Sequence, residues 1–351
     1  MDYKTKSALC SYPYLITEMF SKVDIVYETK IGNPVPRWVL LLPGAGCSWA
    51  KKSGGCYMCG FSLATQHYTR GKRLPWWIYM GLYLIGYAHA RHHRPNVLTI
   101  FNGGSFINDE EIPVKAQLGI CEAVSKDKTT EKLLIESRPE YVTEEKIAAL
   151  SAILKDKRLC IGIGLECKDE FVRNHCIHKG CVRTDYERAS EILKRYGVEL
   201  LTYVFIKPLF LTEKEAMDEA IATAEYAFKI GSDEVAFQAA FVQIGTRLEK
   251  FYTVGKFRPP WLWTIIKVIQ ETYAMGPVTI GAFEDTPLPI AIPHNCERCS
   301  TLVCTLLDEF RRSHDLSLFD NLECECKERW EAEIASSSRS TLAARVSREH
   351  L

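Results

Sequence analysis

Short apolar runs alternate with helical stretches along most of this chain, and that alternation limits the possible folds more than any other feature. Residues 38–42 are apolar throughout and end in Pro43-Gly44-Ala45-Gly46. Residues 97–101, 132–136, 160–166, 199–206, 234–241 and 278–283 have the same character. Runs of this kind suit strands buried on both faces. Between them, helical patterns cover 74–92, 113–125, 143–154, 185–196, 212–230 and a stretch ending at Tyr273. Thr143 before Glu144-Glu145 is a capped helix start, and acidic residues follow Thr212 in a first turn. About six strand–helix repeats predict an α/β fold, a partial (β/α)6 TIM-type barrel with a parallel sheet and outer helices. Chemistry in such barrels gathers at the C-terminal ends of the strands. The barrel is assigned to residues 38–290, with 1–37 as an entry segment packed on it. Residues 291–334 form a small cysteine-rich module, and the Ser/Arg-rich stretch 335–351 is expected to fray.

Forty-four basic residues balance forty-four acidic ones, so no global field draws the chain to nucleic acid. Fourteen cysteines are many for a chain of this size. The N-terminal Met1-Asp2-Tyr3-Lys4-Thr5-Lys6 has no apolar signal core, which favours a reduced cytoplasmic setting with metal-bound thiolates over disulfides. The one membrane-like stretch, 74–90, is slightly short for a span, holds Gly81 and Gly86, and has basic residues on both sides. It is assigned to a buried helix.

Directly after the first apolar run, Cys47, Cys56 and Cys59 stand at the spacing C-x8-C-x2-C on a glycine-rich segment. Three thiolates on one loop suit an iron–sulfur cluster that leaves one iron open to a small molecule. They also suit zinc if a fourth ligand is supplied, and His67 is close enough in sequence to supply it. Polar groups end the later strands: Asn102, Gly103, Gly104 and Ser105, then Glu136 with Arg138, then Glu166. A carboxylate beside a guanidinium suits a zwitterionic ligand, or else a mutual ion pair on the rim. The stretch 171–181, with Arg173, His175, His178, Lys179 and Cys181, is expected to be a solvated, RNA-facing loop. Lys207-Pro208, residues 238–243, Arg247 and Glu249 are placed near a pocket by position alone. Cys296, Cys299, Cys324 and Cys326 supply two close pairs of sulfurs, favouring zinc over a second cluster, with His294 and Cys304 as spares. Lys51-Lys52, residues 70–73, residues 91–94 and Arg311-Arg312 are candidate phosphate contacts.

On these residues the chain resembles the radical S-adenosylmethionine (SAM) enzymes, whose fold is a partial (β/α)6 barrel with three cysteines after the first strand. The commonest family spacing is C-x3-C-x2-C. Longer first gaps occur in the branch that includes the catalytic subunit of Elongator. The resemblance implies that Cys47, Cys56 and Cys59 ligate a [4Fe–4S] cluster whose fourth iron is chelated by SAM. Asn102-Gly103-Gly104-Ser105 stands where the family carries Gly-Gly-Glu, with serine in place of the acid. Glycine there lets backbone carbonyls approach the methionine ammonium. Asn102, Gly103, Gly104, Ser105, Glu136, Arg138 and Glu166 are the implied SAM contacts. The resemblance extends to a lyase-type activity in tRNA modification, in which C–N bond cleavage of a lysine-modified 7-deazaguanine yields archaeosine. It implies tRNA, a partner transferase subunit and an external electron donor as partners, and no membrane. Sulfur insertion or acyl transfer on tRNA is the rival within the family. A zinc-stabilised, non-catalytic module binding tRNA or protein is the rival outside it.

Overall fold

Eight strands form one sheet in strictly sequential order, with the first antiparallel to the second and the rest parallel. The computed structural model describes residues 20–61, 69–283, 288–336, 338 and 340–348. The strands are β1 (Ser21–Glu28), β2 (Asn33–Leu41), β3 (Val97–Phe101), β4 (Lys132–Ser137), β5 (Arg158–Glu166), β6 (Glu199–Ile206), β7 (Glu234–Ala239) and β8 (Val278–Ile280). Each apolar run singled out in the sequence is a strand, and β1 and β8 are not paired with each other. The fold is thus an open α/β barrel.

The antiparallel β1 was not expected. The entry segment and the first barrel strand are one hairpin, turned at Gly32 with φ +73° and tied by an Arg37–Asp24 pair at 2.6 Å. A boundary at residue 37 therefore cuts through β2.

The helices are α1 (Ser48–Ser53), α2 (Trp76–Ala90), α3 (Val114–Lys126), α4 (Glu144–Leu154), α5 (Arg183–Arg195), α6 (Glu213–Lys229), α7 (Arg247–Thr253), α8 (Leu262–Thr272), α9 (Ser300–Ser313), α10 (Cys326–Ala335) and α11 (Leu342–Arg348). Thr143 accepts from the Lys146 N–H, and Thr212 with Glu215 forms a full capping box. Such caps stabilise a helix start by about 1 kcal/mol. Helix α2 is apolar on all sides: it buries Tyr79, Tyr83, Gly86 and Ala90 while Trp76, Trp77, Leu84 and Ile85 stay exposed. Only one face meets the expectation of a buried helix. No described helix is long and apolar enough to cross a membrane.

Two large apolar clusters build the core. One joins β2–β6 to α2–α5, and the other joins β6–β8 to α6, α8, α9 and α10. The cysteine-rich C-terminal segment packs directly on the barrel: Val303, Leu307 and Phe310 of α9 share a core with Val235, Phe237 and Ile280 of the sheet. Arg311 of α9 reaches Asp24 on β1 at 3.4 Å, and His314 reaches the Val278 carbonyl on β8 at 3.0 Å. Helix α9 thus bridges the two edges of the sheet. The last described residues form a helix that docks on the barrel. In α11, Val346 is buried and Arg345 donates to the Phe210 carbonyl at 2.7 Å.

The N-terminal ends of the parallel strands form a charged floor. Lys132 lies 3.2 Å from both Glu28 and Glu199, and Arg158 contacts the same two acids at 2.9 and 3.2 Å. All four groups are satisfied there. The chemistry is left to the opposite mouth.

Candidate active site at the barrel mouth

The cysteine loop leaves β2 and is folded by local glycines. Cys47 precedes the one-and-a-half turns of α1, and Gly54 and Gly55, at φ +83° and +80°, turn the chain back toward Cys56 and Cys59. Left-handed backbone of this kind favours glycine. The Tyr57 N–H donates to the Ile177 carbonyl at 2.8 Å, and the Tyr57 carbonyl accepts from the Leu248 N–H at 3.2 Å. The loop is fixed from two sides.

Beside it, the Gly103-Gly104 turn meets a residue that the sequence did not single out. Glu111 is fully buried, and its Oε1 accepts from the Ser48 N–H at 2.8 Å and from Asn108 Nδ2 at 2.9 Å. Its Oε2 accepts from the Ser105 N–H. A Cβ on Gly104 would overlap that oxygen and crowd the Cys47 backbone. A carboxylate six positions after Ser105 thus lies against the glycine turn. Only the short, polar 105–111 turn could have signalled this. Asn102 is 2% exposed, and neither atom of its amide has a partner. An unpaired buried amide is costly unless a ligand meets it.

Further around the mouth, Glu136 shares a hydrogen bond with Tyr203, and burial pushes its carboxyl up to about 7 against the pull of Lys179. Glu166 pairs with Lys179 at 2.7 Å. It stands at φ +65°, where the β5–β6 register shifts, and a Cβ on Gly164 would overlap both members of the pair. Lys179 is the second site residue whose place the sequence misjudged. Burial raises the Cys56 thiol to about 12, and the Lys179 ammonium is the largest influence pulling it down. Glu166, His178, Lys207 and Phe210 all hold φ between +61° and +76°. Strained backbone of this sort concentrates at functional rims.

Arg138 does not face Glu136. Its guanidinium pairs with Glu140 at 2.5 Å and donates to the carbonyls of Lys179 and Gly180 at 2.9 and 3.2 Å. It fastens the 178–180 segment, which is not the solvated loop expected from the sequence. Arg173 is fully buried, donating to the Cys167 and Cys181 carbonyls, and Cys176 and Cys181 are buried as well. The Arg173 guanidinium serves backbone carbonyls that water would otherwise have to reach. His178 stacks on Tyr57 with ring centroids 5.1 Å apart and meets Trp49 at 5.3 Å. Arg247 lies over the Tyr57 ring at 4.4 Å, and Arg138 lies over Trp49 at 5.4 Å. Three side chains from three other segments, Arg138, His178 and Arg247, thus hold Trp49 and Tyr57 of the cysteine loop.

Lys207 and Glu249 are structural. Lys207 is buried against Glu213 at 2.7 Å, and Glu249 accepts from the Gly245 N–H at 2.6 Å. Among the basic groups, Lys51-Lys52 and residues 70–73 lie beside the site: Lys51 donates to the Gly71 carbonyl, and Arg73 to that of Asp109. Residues 91–94 lie at the other end of α2, about 20 Å away for a helix of that length. Arg311 is engaged with Asp24 and Asp308. His67 lies outside the described residues.

The C-terminal cysteines converge. The sulfurs of Cys296, Cys299, Cys324 and Cys326 all lie within 4.8 Å of one another, with neighbouring separations of 3.6, 3.5 and 3.5 Å. The Trp263 indole N–H donates to the Cys326 sulfur at 3.3 Å. His294 and Cys304 stay outside the group. Tetrahedral zinc with bonds of about 2.3 Å sets sulfurs roughly 3.8 Å apart. Among the described residues this is the one group of three or more metal-ligating side chains drawn so close. The thiols of Cys47, Cys56 and Cys59 are therefore spread more widely.

No family model matches the chain. It is 33% identical over 301 residues to archaeosine synthase subunit beta of Methanosarcina acetivorans, covering 83% of each protein. It is 27% identical to archaeosine synthase subunit beta of Thermococcus kodakarensis, covering 87% of this chain and 93% of the other. Among solved structures, an N-terminally truncated Elp3 of Methanocaldococcus infernus is similar with a TM-score of 0.48 and 17% identity, over 66% of this chain and 58% of that one.

Proposed function

The chain belongs to the archaeosine synthase subunit beta family, and from that premise we propose that it is a radical SAM enzyme completing archaeosine in tRNA. The observation that carries this reading is the cysteine loop at the barrel mouth, where Cys56 lies in the field of the buried Glu166–Lys179 pair and the amide of Asn102, at the end of β3, has no partner. Cys47, Cys56 and Cys59 would hold a [4Fe–4S] cluster. Asn102, Gly103, Gly104, Ser105, Glu136 and Glu166 would line the place of SAM, and Arg138 closes the rim behind them. When bound, the cluster, reduced by an external donor, supplies the electron that splits SAM into methionine and a 5′-deoxyadenosyl radical. The protein's part is to orient the reactants and keep water from the radical. Glu166 and Lys179 offer opposite charges to an amino-acid zwitterion, a group carried both by SAM and by a lysine-modified base. The base would be the lysine adduct of a 7-cyano-7-deazaguanine, made by a partner transferase subunit; cleaving its lysine-derived C–N bond leaves the formamidine of archaeosine. Lys51, Lys52, Arg70, Lys72 and Arg73 would meet tRNA phosphates.

The cysteine quartet is a different kind of site. Its sulfur separations support a single structural zinc ion that pins α10 to α9 and α8.

Mass spectrometry of tRNA nucleosides from a deletion strain tests the substrate. Loss of archaeosine with build-up of its lysine adduct supports the reading. Normal archaeosine, with loss of a thiolated or acylated nucleoside instead, overturns it in favour of another reaction on tRNA.

A further inference from the structure

The carboxylate of Glu111 is surrounded by donors alone. The Ser48 N–H, the Ser105 N–H and the Asn108 amide all point at it, and no lysine, arginine or histidine among the described residues forms an ion pair with it. Burying a carboxylate without a cation costs several kcal/mol unless its hydrogen bonds are complete. Three donors on two oxygens supply that completion. Ser48 is the residue directly after Cys47, and Ser105 is the residue directly after the Gly103-Gly104 turn. One side chain thus joins the first ligand-bearing turn to the glycine turn. Asn108 reinforces the bracket, donating to the Ser48 hydroxyl at 2.8 Å, and Tyr79 donates to the Glu111 carbonyl at 3.4 Å. Gly104 has no side chain at the one place where a Cβ would collide with both the carboxylate and the Cys47 backbone.

We infer that Glu111 is a positioning residue of the cluster site: it fixes Cys47 against the glycine turn and places an unpaired negative charge beside the cluster. The inference rests on reading the three cysteines as a [4Fe–4S] site. Its two parts separate chemically. Position depends on the acceptor geometry at both oxygens. Charge depends on ionisation alone, and a negative charge beside a cluster disfavours its reduced state.

Glu111→Gln keeps the shape but turns one acceptor into an NH₂ group facing an N–H, so at least one of the three bonds is lost. Glu111→Asp keeps the charge and shortens the reach. In the full chain, reconstituted anaerobically with iron and sulfide, three readouts are followed. They are iron release to a chelator, the midpoint potential by EPR-monitored titration, and hydrogen exchange at the Ser48 and Ser105 amides. Losing one hydrogen bond to a charged group is worth about tenfold or more. Glu111→Gln should release iron about tenfold faster than wild type and reduce at a more positive potential. Glu111→Asp should release iron faster with the potential unchanged. Lys132→Met, which weakens the distant floor, is the control for general destabilisation and should change neither readout. Wild-type release and potential in Glu111→Gln, or equal changes in the Lys132 variant, would overturn the inference. If the wild-type chain binds no iron, the cluster reading fails instead. The exchange arm still decides the clamp, because in the metal-free protein Glu111→Gln must deprotect either the Ser105 or the Ser48 amide, and protection of both at the wild-type level would overturn it.

Discussion

Replacing Gly180 by alanine puts a methyl group where the Trp49 ring now lies, at a backbone φ of +62°. The left-handed conformation alone costs alanine roughly 1–2 kcal/mol. Displacing Trp49 removes its indole hydrogen bond to the His178 carbonyl, now 2.8 Å long and worth about 1 kcal/mol. It also disturbs the Trp49–His178 contact, worth about 0.5–1.5 kcal/mol, and the Arg138 cation–π contact, worth about 0.5–1 kcal/mol. Trp49 is free to shift rather than leave, so a loss of about 3 kcal/mol is expected in urea denaturation. Iron bound after reconstitution should fall with it, because α1 carries Trp49 and follows Cys47 directly. A double-mutant cycle isolates the cause. In a Trp49→Ala background the Gly180→Ala change should cost only its conformational share, about 1–2 kcal/mol. An equal cost in both backgrounds would refute the clamp.

Three other perturbations have definite outcomes. Lys132→Met strips a cation from Glu28 and Glu199, which retain Arg158, so the loss should lie near the lower end of the usual range, about 3 kcal/mol by denaturant titration. Burial raises the carboxyls of Glu136 and Glu234 to about 7 from their ordinary value of 4.5, so between those values the folded chain holds protons that the unfolded chain has released. Their contribution is complete below about pH 4.5 and is lost as pH rises through 7. Calorimetric melting between pH 5 and 8 should therefore decline less steeply in a Glu136→Gln/Glu234→Gln variant, and parallel curves would contradict the assignment. Purified protein should hold one zinc ion per chain by metal analysis, and Cys299→Ser should lose it together with several kcal/mol of stability. Unchanged melting after zinc loss would remove its structural role.

How much the sequence disclosed depends on the range of the signal. The parallel strands were legible because each is a short apolar run, and the Thr143 and Thr212 helix starts because caps are local. The cysteine loop was legible from spacing. Strand β1 was missed because a half-buried, charge-bearing hairpin strand such as 21–28 lacks the apolar density of its parallel neighbours. Glu111 and the place of Lys179 were missed because Ser48 and Glu166, the partners that tie them to the site, lie 63 and 13 residues away, and an acid or base in a turn looks like a solvated one. The 171–181 segment was judged wet from its polar residues, yet Arg173 is buried because it satisfies carbonyls that only the folded loop brings together. Arg138 and Lys207 point the same way: their positions at strand ends were evident, their partners were not.

The central claim is that Cys47, Cys56 and Cys59 support cleavage of SAM. Anaerobically reconstituted protein, reduced with dithionite and given SAM, should form 5′-deoxyadenosine detectable by liquid chromatography, and Cys56→Ala should form none. A wild-type chain that carries its full iron complement and yields no 5′-deoxyadenosine would contradict the account.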